Sequence, residues 1–324
     1  IDMYYLLNKK RDERKSKSLN DFNILVKKDL IISNISGENN VLDLGVGKGG
    51  DLNHYIEANV NVFVGIDNIF DNLNNNENGI CNRIFSKSVE NKENKENKEN
   101  NLLTNSLMIW GNCEKILTNS DAGNDELNKY YLDIIYGNLS LDVINNPKLR
   151  QFYNIGNIQA GFGFDLISCQ FTFHYFFKNI KTLENVLNTI SQSLKIGGKF
   201  VGTCLDGKKV FELLNDSSKV GIDDIWSIEK KYEKSVFPNN ETSLGYNVSI
   251  FNESIGVTID EYLVNFDYLI EKAKEFNLEL VTLNSFTNLF EKLSSIKDYG
   301  SMKKMPQELK DYSFLNNSFV FQKK

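Results

Sequence analysis

Residues 41–51 read Val41-Leu42-Asp43-Leu44-Gly45-Val46-Gly47-Lys48-Gly49-Gly50-Asp51. A short apolar run that stops at a cluster of glycines has the pattern of a buried strand feeding a tight turn. Glycine takes conformations closed to other residues and lets a ligand come close to the main chain. The turn precedes a helix predicted to begin near Asp51. Downstream, Val60-Asn61-Val62-Phe63-Val64-Gly65-Ile66-Asp67 is a second β-branched run, and it ends on an acid. Upstream, residues 21–35 place Phe22, Leu25, Val26, Leu30 and Ile31 at helical spacing, and Gly37 then breaks the pattern.

The same alternation continues along the chain. Strands are predicted over 107–110, 164–169 and 199–204, with a helix over 182–194 that Gly197-Gly198 terminates. Later come a helix over 262–276, a strand over 278–283, a helix over 286–293 and a strand over 318–322. Residues 220–259 read as an inserted β-rich piece. Strands alternating with helices imply a parallel sheet wrapped by helices. The Glu-Asn-Lys repeat over 90–100 is balanced in charge and lacks apolar anchors, so a surface insertion is expected there.

With 324 residues, 41% of them hydrophobic, the chain can bury one large α/β domain or two ordinary ones. It has no long apolar run and no secretory leader, so no membrane contact is expected and work inside the cell is the default. Cys81, Cys113, Cys169 and Cys204 are scattered and only two histidines occur. Neither a disulfide framework nor a metal site is indicated. A net charge of -6 argues against bulk attraction to nucleic acid. Lys9, Lys10, Arg11, Arg14, Lys15 and Lys17 form a local basic cluster, equally readable as a solvated arm. The opening residue Ile1 suggests a domain cut from a longer polypeptide.

Charge decides between two ligands for the glycine turn. Dinucleotide enzymes use a related turn to seat a pyrophosphate on a helix N-terminus. Here Asp43 and Asp51 flank the glycines, and carboxylates there repel a pyrophosphate while suiting the ammonium and sulfonium of S-adenosylmethionine. Asp67, at the end of the second strand, is placed to accept hydrogen bonds from both ribose hydroxyls. Asn112, after the third strand, offers a side-chain carbonyl to the adenine amino group.

A more specific pattern lies at 164–175: Phe164-Asp165-Leu166-Ile167-Ser168-Cys169-Gln170-Phe171-Thr172-Phe173-His174-Tyr175. With Phe22-Asn23 and Lys27, the whole glycine turn, and Glu261-Tyr262-Leu263-Val264-Asn265-Phe266, it resembles the mRNA cap guanine-N7 methyltransferases over most of the chain. Val46, Leu205-Asp206-Gly207 and the asparagine-rich insertions look closest to capping enzymes of large DNA viruses.

The resemblance implies a class I S-adenosylmethionine-dependent methyltransferase fold: α/β, Rossmann-like, a mostly parallel seven-stranded sheet with helices on both faces and a small inserted β-rich subdomain. It implies a single domain over 1–324, with an N-terminal arm and helix over 1–36, a low-complexity insertion over 86–104 and an inserted subdomain over 205–260. Lys27, Asp43, Gly45, Asp67, Asn112 and Gln170 are implied to contact S-adenosylmethionine. Asn23, Lys48, Phe171, His174, Tyr175 and Glu261 are implied to bind the cap, with Lys48 near its phosphates. The stretch Asn316-Asn317-Ser318-Phe319-Val320-Phe321 departs from the family, which commonly has a tyrosine near Asn316.

The implied partners are the GpppN end of capped RNA, triphosphatase and guanylyltransferase domains of one polypeptide, and an activating subunit. The implied location is a virion or cytoplasmic factory for a viral protein and the nucleus for a cellular one. Guanine N7 has a free lone pair and no proton, so its methylation needs positioning rather than a general base. Two other readings share parts of this pattern: a methyltransferase acting on a ribose hydroxyl or small molecule, which calls for a base, and a silent module that binds capped RNA.

Overall fold

A computed structural model of the chain describes residues 15–35, 39–93, 101–295 and 302–324. Its strands in chain order are β1 (Asn40–Leu44), β2 (Val62–Asp67), β3 (Ser106–Trp110), β4 (Phe164–Gln170), β5 (Leu194–Leu205), β6 (Lys219–Ile222), β7 (Trp226–Lys230), β8 (Asn247–Asn252), β9 (Thr258–Tyr262), β10 (Leu278–Ser285) and β11 (Asn316–Lys323). Seven of them form one sheet in the order β10-β11-β5-β4-β1-β2-β3. β1 runs parallel to β2 and β4, while β11 is antiparallel to both of its neighbours. This is the mostly parallel, helix-wrapped sheet expected from the alternation.

The central strands read as continuous apolar runs because both of their faces are covered. On one face Leu42, Leu44, Val64, Ile167 and Phe200 pack against Leu183, Val186, Leu187 and Ile190 of the Ile180–Ser193 helix. On the other, Val41, Phe63, Leu166 and Val201 pack against Leu30, Ile31, Leu52 and Tyr55. Each such side chain contributes roughly 1.5–3 kcal/mol by burial. The ends of β1, β2 and β4 thereby become a rigid platform for the loops that follow them.

Strands β6 to β9 form a separate four-stranded antiparallel sheet. It leaves the main chain path at Asp206 and returns at Val264, two residues joined by a β-bridge, and Gly207 N–H donates to the Val264 carbonyl at 2.8 Å. Cross-strand partners point to the same side of a sheet. Glu261, paired with Val248, therefore shares the apolar side of Ile228, Val248 and Ile250.

Three expectations need correction. The Ile180–Ser193 helix ends before Gly197-Gly198. Leu194 already pairs with Phe164, so both glycines belong to β5, which makes an irregular turn at Gly197 with φ +81°. The helix predicted over 262–276 runs only over Phe266–Lys274, because the Asn265 side chain accepts from Tyr268 N–H and caps it there. Glu261 and Tyr262 consequently end a strand. The helix predicted from 21 begins earlier, at Lys17. Part of the 86–104 insertion is helical, within Ile80–Glu93 and Asn101–Thr104. Lys9, Lys10, Arg11, Arg14, Gly37 and residues 94–100 lie outside the described residues.

Candidate active site

The turn after β1 depends on its glycines. Gly45, Gly47 and Gly49 have φ of +77°, +55° and +74°. A Cβ on Gly45 would lie 2.7 Å from Thr172 Oγ1, whose hydroxyl donates to the Leu44 carbonyl. Thr172 thus pins the loop after β4 to the turn after β1. A Cβ on Gly47 would meet nothing within 4 Å, so that side of the turn is an open cradle.

Around it stand three buried acids. Asp43 Oδ2 accepts from the Tyr55 hydroxyl at 2.8 Å. Burial, and then the neighbouring Asp51, push the Asp43 carboxyl up to about 8. Asp51 precedes the Leu52–Glu57 helix without capping it; its carboxylate lies 2.7 Å from Lys27 Nζ and 3.8 Å from His54 Nε2. Asp67 accepts from Gly47 N–H, Ile69 N–H and the Asn72 amide. A carboxylate has about four acceptor positions, so in this conformation Asp67 has room for one ribose hydroxyl, on Oδ2, rather than two.

Other predicted cofactor residues sit close by. Gln170 is held by Ser168 Oγ and Thr203 Oγ1, each at 3.0 Å, and Ser168 is the β4 partner of Asp43. The Asn112 side-chain carbonyl accepts from Glu114 N–H at 2.9 Å, so one of its two lone pairs is already used. Lys48, expected near the cap phosphates, lies within the turn itself. It is buried, with Nζ 3.2 Å from Asp71 on the β2 side of the turn.

The second half of the site assembles where β4 meets the four-stranded sheet. Phe171 takes a left-handed φ of +55°, held by its N–H donating to the Thr203 carbonyl. Its ring packs edge-on to Phe286 at 6.1 Å. Beyond this kink, His174 Nδ1 lies 3.3 Å from Glu261 Oε2, and the Tyr175 ring stands against the imidazole at 4.2 Å. Burial pushes Glu261 up to about 8 and His174 down to about 3. Burial thus disfavours the charged form of both partners. His174 Nε2 is buried and has no partner among the described residues.

Asn23, on the Lys17–Ile32 helix, has its side-chain carbonyl buried without a partner as well. Asn316 is buried and donates to the Ser313 carbonyl. Tyr312, from the preceding helix, packs on Trp226 at 5.3 Å, and burial and the nearby Glu261 raise its hydroxyl. Sequence reasoning missed Tyr55, His54 and Tyr312. For the first two a signal existed, since positions three and four after Asp51 share its helix face.

The model of the mRNA (guanine-N(7))-methyltransferase domain matches residues 4–317. The chain belongs to this family. An mRNA cap guanine-N(7) methyltransferase of Candida glabrata is 27% identical over 300 residues, covering 88% of this chain and 59% of that protein. One of Saccharomyces cerevisiae is 28% identical over 280 residues, covering 84% and 53%. A protein of Acanthamoeba polyphaga mimivirus named "Probable mRNA-capping enzyme" is 28% identical over 286 residues, which are 83% of this chain and 22% of that one. The chain thus spans from about a fifth to three fifths of these curated relatives. No described helix of this guanine-N7 methyltransferase domain is long and apolar enough to cross a membrane.

Proposed function

We propose that this domain transfers the methyl group of S-adenosylmethionine to N7 of the guanine in the GpppN cap of RNA. The observation that carries the reading is the pairing of buried His174 with Glu261, just beyond the loop that Thr172 ties to the glycine turn. The turn's own features fit the methyl donor: an open cradle at Gly47, buried acids facing one lysine, and an acid at the end of β2. When bound, the donor supplies a methyl group on cationic sulfur.

Lys27, Asp43, Gly45, Asp67, Asn112 and Gln170 hold that donor. Asp43 and Asp51 face its positive groups, and a cation beside them favours their ionised forms. Asn23, Phe171, His174, Tyr175 and Glu261 hold the cap. A His174 N–H donates to guanine O6, while Glu261, ionised as the base docks, accepts from N1–H and the exocyclic amine. Tyr175 offers an aromatic face to the base. Lys48 is left to the cap phosphates only if its buried contact with Asp71 opens.

Catalysis by these residues is a matter of placement. Aligning N7 with the methyl group and departing sulfur turns an encounter into an intramolecular step, worth up to about 7–11 kcal/mol in favourable systems. Methylation makes the guanine cationic, so the Glu261 carboxylate interacts more strongly as transfer proceeds. No residue here has to remove a proton.

The similarity to the mimivirus protein supports placing the domain in a larger capping enzyme of a large DNA virus, beside triphosphatase and guanylyltransferase domains. An activating subunit and a virion or cytoplasmic factory location belong to the same proposal, a nuclear one to a cellular origin. So does the division into an N-terminal helix, an insertion over 86–104 and a subdomain over 205–260 within one domain. Incubation with GpppA or GpppG and labelled S-adenosylmethionine, followed by mapping of the methyl position, tests the activity. Label on a ribose oxygen, or none at all, defeats it.

A further inference from the structure

The Lys17–Ile32 helix carries Asn23 and Lys27 into the site, yet it lacks the usual means of fixing its first turn. Ser16, at its N-cap, makes no side-chain capping bond, and Ser16 Oγ is buried without a partner. A carboxylate from the four-stranded sheet does the capping instead. Glu253, only 5% exposed, accepts from Ser16 N–H at 2.8 Å and from Lys15 N–H at 3.3 Å.

Glu253 is itself firmly held. It follows β8 directly, and its N–H donates to the Ile225 carbonyl at 2.9 Å, closing the end of the β7–β8 pair. Next to it, Trp226 Nε1–H donates to the Glu308 carbonyl at 2.9 Å. The sheet that carries Glu261 therefore grips two helices at this one end.

A helix is a rigid rod, and Lys27 stands about 16 Å along it from Ser16. Further along, the helix is tied by Lys27 to Asp51, by Lys28 to Glu57 and by Asp29 to Lys292. The last two are largely exposed pairs of the kind that add little, and the first orients the Lys27 tip without fixing the helix start. A buried carboxylate at a helix N-terminus is stronger on two counts: charge-assisted hydrogen bonds and a favourable alignment with the helix dipole.

We infer that Glu253 is a positioning residue that locks the cofactor-side helix to the cap-side sheet, setting Lys27 and Asn23 in register with Glu261. This rests on Lys27 acting at the cofactor, and the experiment separates the two ideas. Binding of S-adenosylmethionine by calorimetry is measured for the wild type, E253A, E253Q, K27A and the E253A/K27A double variant, together with kcat and KM.

E253A is expected to weaken cofactor binding by about tenfold, a typical coupling between sites, and to raise both KM values while kcat at saturation is retained. E253Q keeps one acceptor and falls between, and it carries the test alone should E253A fail to fold. In the K27A background E253A should add nothing further, because the effect passes through Lys27. Wild-type affinity in E253Q, or additive losses in the double variant, overturns the inference. Wild-type affinity in K27A instead removes the cofactor assignment on which it stands.

Discussion

His174 Nδ1 and Glu261 Oε2 lie 3.3 Å apart although one follows β4 in the large sheet and the other ends β9 in the small one. Neither side chain is needed to build its own sheet. Their meeting sets an imidazole and a carboxyl from two different sheets side by side.

Replacing either residue by alanine should cost about 10²–10³-fold in transfer to GpppA, the range seen when one preorganised polar group is lost from a reaction site. Cofactor affinity should hardly move, since Asp43, Asp51 and Lys27 are untouched. Radiolabel transfer and calorimetry on H174A and E261A check both halves. Full activity in both variants would remove the cap-site assignment.

The Glu261 carboxyl gives the product complex a definite pH response. In the free protein burial holds it at about 8, and a cationic base beside it lowers that value. Binding of m7GpppG below pH 8 therefore releases a proton, and affinity should climb with pH and level off above about 8. E261Q should bind more weakly with a flat profile. Burial disfavours charge on His174 as well, holding it down to about 3. A slope that survives in E261Q contradicts the assignment.

Stability of the ligand-free protein should fall as pH rises from about 4 to about 8. Asp43 and Glu261 have ordinary values of 3.8 and 4.5 and are raised to about 8 by burial. An acid whose value is higher in the folded state binds its proton more tightly there. Its contribution is complete below the unfolded value and disappears as pH passes the folded one. Thermal melts across this window should show a declining Tm, and S-adenosylmethionine should flatten the decline by favouring ionised Asp43.

Tyr55 to phenylalanine removes the donor to the buried Asp43 carboxyl. Leaving a buried polar group short of a partner costs about 1–3 kcal/mol, so Y55F should lower Tm and weaken the cofactor while the cap KM is spared. Circular dichroism melts and calorimetry decide this.

The two glycines of the turn should part company. G45A forces a Cβ to within 2.7 Å of Thr172 and breaks the tie between the β1 and β4 loops, so its loss appears in Tm. G47A meets open space and carries mainly the strain of its positive φ, about 1 kcal/mol. Its larger effect should be on cofactor affinity, because the added methyl enters the cradle.

Much of this was legible from local pattern. The apolar runs at 41–44 and 62–66 mark strands buried on both faces, and the glycines and acids that follow them mark the cofactor end of the sheet. The cap side was legible only through resemblance, because His174, Phe171 and Glu261 are each ordinary in their own segments. The partner of Lys48 was hidden, since nothing in its neighbourhood indicates that Asp71 would receive a buried ammonium. The ends of the helices at 193 and 266 depended on Leu194 pairing with Phe164 and on the Asn265 cap. A long-range strand contact cannot be read from glycines nearby.

The bridge between Asp206 and Val264 has a further consequence. Because the chain departs and returns through one stapled neck, the excursion is a single loop-out in the linear order of the large sheet, yet Glu253, Trp226 and Glu261 moor it to the body at three further points. A graft that exchanges this piece must therefore carry its moorings as well as its two ends.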